Sequence, residues 1–439
     1  KTREKVENQF KNEPNAFMIS TSTLELGIDI GNIYAVVQIK PPNSVSSYLQ
    51  RMGRSGRAKH EKSKSIIFYQ NDSDIFISLA EIILIKGKKV ENIQIPDKPL
   101  DIYFHQILST IIEYMRIDKN ELYYHLKDCF VFSKISFEEY KNMIKDMEKR
   151  NLIKKDKKFI TIGSAFEEKF GKLNFLNFYS VFCPSYEYTV KEGNTKIGTL
   201  DPTYSSMLKK GSNFILSGSS WIVKDINYKK FLIKVAKIQT IENKIPKWSG
   251  DGPTLSYEIS RQIYSILINE YDKNILEHIF DEKSKNKINK YVQKSEECGF
   301  RKGIIPIEFN QKTRQIYIYT FAGHKVNVLL SFLYKICLDI TSIDNTAYYT
   351  SFKIQKGITI YEVFDILTSS KKILENNENK IEIYKNLGNF YKNKFINLIP
   401  EEYSLKLKFD ILFDEINLIK LTEENEPVLC QETNIKKWL

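Results

Sequence analysis

The stretch STSTLELGIDIGNIYAVVQIKPPNSVSSYLQRMGRSGR, from Ser20 to Arg57, decides the fold of the first part of this chain. It holds a glycine turn at Gly27, then an apolar run, then glycines interleaved with arginines. The apolar run YAVVQI (residues 34–39) predicts a strand buried on both faces of a parallel sheet, and two prolines end it. An apolar strand between polar turns is typical of a doubly wound α/β sheet.

The residues around this stretch fit the same sheet. FMIS (residues 17–20) and SIIFY (residues 65–69) predict two further strands. Ser44 is placed to cap a helix whose apolar side carries Val45, Tyr48, Leu49 and Met52. Another helix is expected at about residues 74–86. The chain therefore opens with a parallel-sheet α/β lobe, assigned to residues 1–95.

Three further domains follow in this interpretation. Residues 96–170 predict three helices and a β-hairpin, the order of a winged-helix domain. Residues 171–254 hold strands such as FYSVFC, YEYTV and KFLIKVAKI, with turns about every eight to twelve residues, which indicates a small β-rich barrel or sandwich. Residues 255–439 combine helices with strands such as IIPIEF and QIYIYTF and predict an α+β domain. The predicted fold class is multidomain α/β plus α+β.

Composition restricts the class of protein. The 439 residues are 42% apolar, enough for large cores, and the net charge is +12. A basic chain favours a polyanionic partner such as nucleic acid, but its abundant Lys, Ile, Asn and Tyr are equally typical of AT-rich codons. No run of about eighteen apolar residues predicts a membrane span, and no signal-peptide pattern is present.

Cysteine spacing argues against two kinds of metal centre. The five cysteines include no C-x-x-C pair, so a zinc ribbon or an iron–sulfur cluster is not expected. Reduced thiols in a cytoplasmic protein are the better interpretation. The five histidines are scattered, and we expect none of them to bind a metal.

The glycine turn is predicted to lie at the carboxyl edge of the parallel sheet, where sheets of this class bind ligands. The turn at Gly27 brings backbone N–H groups and the carboxylate of Asp29 to that edge. Thr21 and Ser22 follow the preceding strand directly, so their hydroxyl groups are placed to contact a phosphate.

The arginines form the second part of the pattern. Gln50, Arg54 and Arg57 have the spacing i, i+4, i+7, which predicts one face of a helix that leads into a loop. Clustered arginines repel one another unless an anion neutralises them, and Gly53 and Gly56 each weaken a helix by up to about 1 kcal/mol. Arg binds phosphate oxygens through two parallel hydrogen bonds. Arg54 and Arg57 are therefore candidate arginine fingers for a triphosphate, in preference to a solvated basic face beside KHEKSK.

These motifs carry a resemblance. STSTLELGIDIG resembles motif V and QRMGRSGR resembles motif VI of superfamily 2 helicases, and the whole run is most similar to the Lhr (large helicase-related) family. KPLDIYFHQIL resembles the start of that family's winged helix. KIGTLD, GSNFILSGSSWIVKDI and IPKWSGDGP resemble its β-rich domain, and IYIYTFAGHKVNVLLS resembles part of its C-terminal domain.

The resemblance implies an ATP-dependent helicase with ATP and Mg2+ as cofactors. It implies 3′-to-5′ movement along single-stranded DNA and unwinding of DNA or RNA–DNA duplexes, in DNA repair or in defence against mobile elements. By the same resemblance, Thr21 would contact the phosphate of the tracked strand. Gly27 and Asp29 would face the nucleotide ribose and the arginines of motif VI.

The resemblance also implies roles for the residues of the second motif. Gln50 would help to couple the two lobes of the motor. Arg54 and Arg57 would reach the γ-phosphate. Arg51 would pair with an acidic residue inside the motor.

A motor of this class needs a first RecA-like lobe with a glycine-rich phosphate loop and an acidic metal-binding motif. The sequence contains neither G-x-x-x-x-G-K-[ST] nor a D-E-x-H or D-E-A-D run. We therefore expect the C-terminal portion of a larger helicase, starting inside the second lobe and inactive alone. Two alternatives stay open: a non-enzymatic nucleic-acid adaptor, which would have no need of Arg54 and Arg57, and the second half of a split motor.

Further residues are candidates for nucleic-acid contact. Lys141 and Lys145 lie one turn apart on the third helix of the predicted winged helix, and Lys154 and Lys155 lie in its wing. Contacts from lysines to phosphates would not depend on base sequence; the alternative is an exposed polar face. Trp248, beside the turn SGDGP, is a candidate for base stacking or a domain interface.

Trp221 receives the opposite interpretation. It alternates with apolar residues in the predicted strand WIV, and we expect it to pack in a core.

Overall fold

The structure is a computed structural model of the chain. It describes residues 10, 13, 15–20, 33–56, 62–93, 95–171, 178–179, 181, 187–200, 205, 208, 210–216, 219–227, 230–238, 255–340, 343–387 and 394–431. The chain divides into two compact units. Unit 1 comprises Lys1–Ile93, Pro253–Lys380 and Phe413–Leu439, and unit 2 comprises Gln94–Gly252 and Ile381–Leu412. The four predicted domains, with boundaries near residues 95, 170 and 254, stay a prediction.

The strands, in chain order, are β1 Val36–Ile39, β2 Ser65–Phe68, β3 Ile117–Asp118, β4 Ile153–Asp156, β5 Phe159–Ile162, β6 Tyr188–Glu192, β7 Thr195–Leu200, β8 Asn213–Leu216, β9 Ser219–Asn227, β10 Leu232–Ile238, β11 Ile304–Asn310, β12 Gln315–Ile318, β13 Ile343–Asn345, β14 Thr350–Lys353 and β15 Glu426–Cys430. The helices are α1 Val45–Met52, α2 Asp72–Lys86, α3 Leu100–Tyr114, α4 Lys119–Lys127, α5 Phe137–Lys149, α6 Ser164–Phe170, α7 Tyr257–Leu267, α8 Lys273–Ile279, α9 Glu282–Glu297, α10 Gly323–Leu338, α11 Ile360–Thr368, α12 Ser370–Glu375, α13 Asn377–Asn386, α14 Glu401–Leu412 and α15 Glu415–Glu424.

Unit 1 contains the predicted parallel sheet. β1 and β2 pair in parallel, with Val37 opposite Ile66. The side chain of Ser44 caps α1 by accepting a hydrogen bond from the amide of Ser47 at 3.2 Å, as the sequence predicts. A capping box between Asn71 and the third residue of α2 begins that helix.

The burial of β1 differs from the prediction. Gln38 is the buried residue of the strand, at 4% exposure, whereas Val37 and Ile39 are 57% and 74% exposed. A parallel strand is buried on both faces when each face has a covering layer, and the described residues cover one face. The predicted strand at residues 17–20 is also wrong, because these residues lie outside every strand described here. The side chains of Phe17 and Ile19 are exposed.

A second sheet of unit 1 has the order β13-β14-β12-β11-β15. β11 and β12 form an antiparallel pair, and β15, which the sequence does not predict, runs parallel to β11. The helix α2 packs on α7 and α9 through buried residues such as Leu79, Ile259 and Ile263. This packing joins the opening part of the chain to residues beyond 255 in one core.

The first part of unit 2 holds three helices and a small sheet. α3, α4 and α5 pack through an apolar core, and β3-β5-β4 form an antiparallel three-stranded sheet. Ser136 begins α5 with a capping box to Glu139. The helices and the hairpin lie where the sequence predicts them. Their assignment as a winged-helix domain stays a prediction.

Unit 2 also contains a five-stranded sheet of order β7-β6-β10-β9-β8. β10 runs parallel to β6 and antiparallel to β9. Trp221 packs in the core at 4% exposure, and its indole N–H donates to the carbonyl of Leu216 at 2.9 Å, which confirms the sequence interpretation. The predicted strand at residues 178–183 is wrong in its described part, since residues 178–179 are helical.

No helix in the described part of the chain is both long enough and apolar enough to span a membrane.

Candidate functional site

The first feature of the site is the end of helix α1. The amide of Gly53 donates to the carbonyl of Leu49, and the amides of Arg54 and Ser55 then make shorter-range turn hydrogen bonds. The helix therefore ends at Met52, and Arg54 lies in the turn beyond it. The prediction that Gln50, Arg54 and Arg57 share one helical face is wrong for Gln50 and Arg54, because the chain leaves the helix between them.

Ser55 ties this turn to the sheet. Its hydroxyl oxygen accepts a hydrogen bond from the amide of Lys64 at 3.0 Å, and its carbonyl accepts one from the hydroxyl of Ser63 at 2.9 Å. Ile33 and Ser55 form a parallel bridge. Ser55 is 1% exposed. The contacts of Ser55 with Lys64, Ser63 and Ile33 thus fix the backbone next to Arg54.

Gly56 completes the turn in a conformation that requires glycine. Its φ is +65°, and a Cβ atom there would collide with the backbone of Lys62 and Ser63. Gly53 has φ −67°, which any residue adopts. The two glycines of the motif therefore differ: Gly56 shapes the turn after Arg54, and Gly53 ends the helix before it.

Arg51 is held from within the sheet. Its Nη1 donates to Oε1 of Gln38 at 3.1 Å, and Nε2 of Gln38 donates to the hydroxyl of Ser65 at 3.1 Å. The network therefore joins α1, β1 and β2. The hydrogen bond to Gln38 does not test the predicted acidic partner of Arg51. The charge of Arg51 does act on the buried carboxyl group of Glu81.

Glu81 lies on α2 with 0% exposure. Burial first, and then the charge of Glu91, raise the pKa of its carboxyl group to about 10, while the charge of Arg51 opposes that rise. Both carboxyl oxygens lack a hydrogen-bond partner among the described residues. Glu81 is therefore a neutral acid at pH 7, and it lies close enough to Arg51 for the two to interact electrostatically.

Glu91 stabilises the other end of α1. Its carboxylate accepts hydrogen bonds from the amides of Val45 and Ser46, the latter at 3.3 Å. A negative charge at a helix N-terminus is favourable. The helix that leads to Arg54 is thus anchored at both ends.

The structure places the predicted residues unevenly. Gln50 is exposed on α1, and Arg54 is half-buried in the turn beyond it. The predicted residues Thr21, Ser22, Gly27, Asp29, Arg57 and Trp248 lie outside the described residues. Among the residues that are described, no three His, Cys, Asp or Glu side chains come together as a metal site would require.

The four predicted lysines of unit 2 fall into two kinds. Lys141 pairs with Glu138, and Lys155 pairs with Glu148 at 3.5 Å. Lys145 and Lys154 are exposed and have no acidic partner within 4 Å among the described residues. The charge of the second pair is therefore the more available to a phosphate.

The residues that support the turn were missed by sequence reasoning. A signal was available for Gln38, a polar residue inside an apolar strand, and for Glu81, an acid in the apolar run of α2. Ser55 had no such signal, since serine in a glycine-rich loop is ordinary.

Comparisons with known proteins bear on this site. The family described as "Helicase conserved C-terminal domain" matches residues 1–59. The ATP-dependent helicase Lhr-Core of Methanocaldococcus jannaschii is 25% identical over 345 residues, which are 75% of this chain and 40% of that protein. Lhr-Core protein 2 of Thermococcus barophilus is 24% identical over 412 residues, 86% of this chain and 47% of that protein. The chain thus spans less than half the length of these curated relatives.

A solved structure is similar over most of the chain. The helicase Lhr of Mycobacterium smegmatis, bound to ssDNA and AMP-PNP, matches 98% of this chain and 59% of that protein with a TM-score of 0.67 and 13% identity. At this identity the likeness concerns the fold. The mixed α/β architecture with several sheets is the fold of that protein.

Proposed function

We propose that this chain, a relative of the Lhr family of superfamily 2 helicases, supplies the motif V and motif VI half of an ATP-dependent nucleic-acid motor. The curated relatives and the matched domain family confirm the predicted resemblance to that family. The chain spans 40% of the first relative. The activity of the whole motor is therefore part of the proposal.

One observation carries the proposal: the turn that holds Arg54 is fixed to the sheet while the side chain stays partly accessible. Ser55 and Gly56 fix the backbone on the far side of Arg54, and the end of α1 fixes it on the near side. An arginine finger requires a guanidinium group held in one place. It stabilises the negative charge that develops on the phosphate in the transition state, and it does so best when it is positioned beforehand.

The residues of this turn fit a nucleotide phosphate. A guanidinium group offers five N–H donors in a planar fork that matches phosphate oxygens. ATP with Mg2+, when bound between this lobe and a first RecA-like lobe, supplies the phosphoryl group that is transferred to water. Arg54 and Arg57 would orient and neutralise its γ-phosphate, and Gly27 and Asp29 would face the ribose.

Arg51 and Gln50 would have supporting roles. Arg51 is held by Gln38 and so fixes the position of α1 on the sheet. Gln50, exposed on the same helix, is placed to contact a second lobe. Closure of the two lobes would thus be coupled to the arrival of Arg54 at the phosphate.

Nucleic acid would contact several parts of the chain. Thr21 and Ser22 would contact the phosphates of the tracked strand, and Trp248 would stack on a base. In unit 2, which we propose contains a winged helix, Lys145 and Lys154 would bind phosphates together with Lys141 and Lys155. The track would be single-stranded DNA or an RNA–DNA hybrid in the cytoplasm, with movement from 3′ to 5′.

The test is DNA-stimulated ATP hydrolysis by a motor that contains both lobes, in one polypeptide or as two chains. We expect Arg54→Ala and Arg57→Ala each to lower turnover on the order of a thousandfold while single-stranded DNA is still bound. Arg301→Ala, which removes an exposed arginine far along the sequence, is the matched control and should leave turnover unchanged.

Two outcomes would count against the proposal. If the two-lobe motor shows no DNA-dependent turnover, the chain acts as an adaptor. If Arg54→Ala and Arg57→Ala turn over like the parent, the arginine-finger assignment is wrong. The 439-residue chain alone is expected to hydrolyse no ATP, and turnover by it would overturn that part of the proposal.

A further inference from the structure

The five-stranded sheet of unit 2 carries a row of lysines across three neighbouring strands. Lys196 of β7 lies opposite Lys191 of β6, and Lys191 lies beside Lys234 of β10. Residues directly paired in a sheet point to the same face. The three ammonium groups therefore rise from one face of the sheet, on strands that are about 4.8 Å apart.

The row lies on the face that is turned away from the core of this sheet. The neighbouring positions Val190 and Ile233 are fully buried, with the alternation expected of a sheet with one covered face. Lys196 and Lys234 are exposed, and Lys191 is half-buried. The lysine row is therefore accessible in the described part of unit 2.

Acidic residues do little to neutralise the row. None of the three lysines has a carboxylate within 4 Å among the described residues. Glu192, next to Lys191, instead accepts the backbone amide of Lys237 at 3.0 Å. Asp225 lies opposite Lys234 in the register but forms no ion pair with it. Like charges placed directly opposite each other destabilise a sheet, so the row has a cost that an anionic ligand would remove.

Two β-bulges flank the row. The register between β6 and β7 shifts between Val190 and Lys191, and the register between β10 and β9 shifts between Lys234 and Val235. The second shift leaves Lys224 as the unmatched, exposed residue. Bulges re-aim side chains and are common beside functional sites. Here they occur on both sides of the lysine row, and the second bulge presents a fourth lysine, Lys224.

We propose that the lysine row, Lys191, Lys196 and Lys234, binds the phosphate backbone of single-stranded nucleic acid. Ammonium groups on flexible stems, spread over about 10 Å across three strands, suit a chain of phosphates better than one compact anion. In the described strands β6, β7 and β10 no aromatic side chain is exposed, so the row would hold the backbone without reading bases. This inference rests on the proposed function, because it gives the motor a second contact with its track.

The test is equilibrium binding of fluorescently labelled dT20 and rU20 to the 439-residue chain at several salt concentrations. Each lost phosphate contact on a single strand lowers the slope of log K against log salt by about 0.7. We expect K191Q/K196Q/K234Q to bind at least tenfold more weakly, with a slope smaller by about 2. K191R/K196R/K234R keeps the three positive charges and should bind like the parent.

A matched control removes the same charge elsewhere. K210Q/K230Q/K290Q changes three exposed lysines outside the row. It should change the salt slope by less than about 0.7, the value for one phosphate contact. If the glutamine variant of the row binds both oligonucleotides with the parent's slope, the inference is wrong and the proposed function stands. If the parent binds neither oligonucleotide, both fail together. Loss of binding to one oligonucleotide alone would support the row and identify which nucleic acid it holds.

Discussion

The hydroxyl oxygen of Ser55 lies 3.0 Å from the backbone nitrogen of Lys64 and accepts its hydrogen bond. Lys64 follows Ser55 by nine positions in the sequence, and the bond joins the turn that holds Arg54 to the residue before β2. Arg54 is therefore positioned by a neighbour that has no charge and touches no ligand in the proposal.

Ser55→Ala should loosen the attachment of this turn to the sheet. The loss of an ordinary intramolecular hydrogen bond costs about 0.5–1.5 kcal/mol, so we expect faster hydrogen–deuterium exchange at Lys64 and a lower unfolding free energy in urea. Ser46→Ala, at an exposed position of α1, is the control and should change neither. Unchanged exchange at Lys64 in the Ser55 variant would show that the hydroxyl does not hold the turn against the sheet.

Gly56→Ala should be much more harmful than Gly53→Ala. Gly56 has φ +65°, and a Cβ atom there would collide with neighbouring backbone. Gly53 has φ −67°, and a Cβ atom there would lie 3.1 Å from its nearest neighbour, the carbonyl oxygen of Leu49. A left-handed residue with a side chain costs about 1–3 kcal/mol before any collision. We expect Gly56→Ala to lower both the unfolding free energy and the DNA-stimulated turnover of the two-lobe motor. Equal effects of the two substitutions would contradict this difference.

Glu81→Gln should change how stability depends on pH. The pKa of Glu81 is raised from 4.5 to about 10, chiefly by burial. The folded chain keeps a proton that the unfolded chain releases, so this residue lowers stability increasingly as the pH rises from 4.5 towards about 10. The variant removes that titration.

The measurement is urea unfolding of parent and variant across this pH range. We expect the advantage of Glu81→Gln to be absent near pH 4.5 and to grow with pH, by up to about tenfold in the unfolding equilibrium constant per pH unit. Glu168→Gln, at an exposed site on α6, should give a curve parallel to the parent's. A parallel curve for Glu81→Gln would mean that its carboxyl group ionises normally.

Gln38 and Arg51 should be energetically coupled. Their hydrogen bond is 3.1 Å long and involves a charged donor, a class worth about 1.5–3 kcal/mol. We expect a double-mutant cycle of Gln38→Ala and Arg51→Ala in urea unfolding to give a coupling of about 1–2 kcal/mol. Additive single effects would show that Arg51 is held by other groups.

The two kinds of lysine in unit 2 should differ in binding. Lys145 and Lys154 have no acidic partner within 4 Å among the described residues, whereas Lys141 and Lys155 are ion-paired. We expect K145Q/K154Q to weaken binding of single-stranded DNA more than K141Q/K155Q, with a salt slope reduced by about 1.4. The reverse order would place the nucleic acid elsewhere on this unit.

Sequence reasoning succeeded where local pattern determines local structure. The cap at Ser44 and the buried Trp221 follow from spacing and from side-chain chemistry within a few residues. The pairing of β1 with β2 also follows, because an apolar strand on each side of a helix favours a parallel pair.

It failed where distant residues decide the outcome. The spacing of Gln50 and Arg54 suits a helix, but the turn is closed by Ser55 bonding to Lys64, a partner that spacing does not reveal. The exposure of Val37 depends on which residues cover the sheet. The strand β15 has a sequence, EPVLC, that begins with an acid and a proline, and it forms because β11 offers an unpaired edge.

That edge has a consequence for synthesis. β11 leaves the ribosome more than a hundred residues before β15, its parallel partner. At ordinary elongation rates the interval is on the order of ten seconds. During it, one edge of this apolar strand would present unpaired backbone N–H and C=O groups to any neighbouring nascent chain. Yield from an expression host should therefore depend on elongation speed and chaperone supply, independently of how stable the finished protein is.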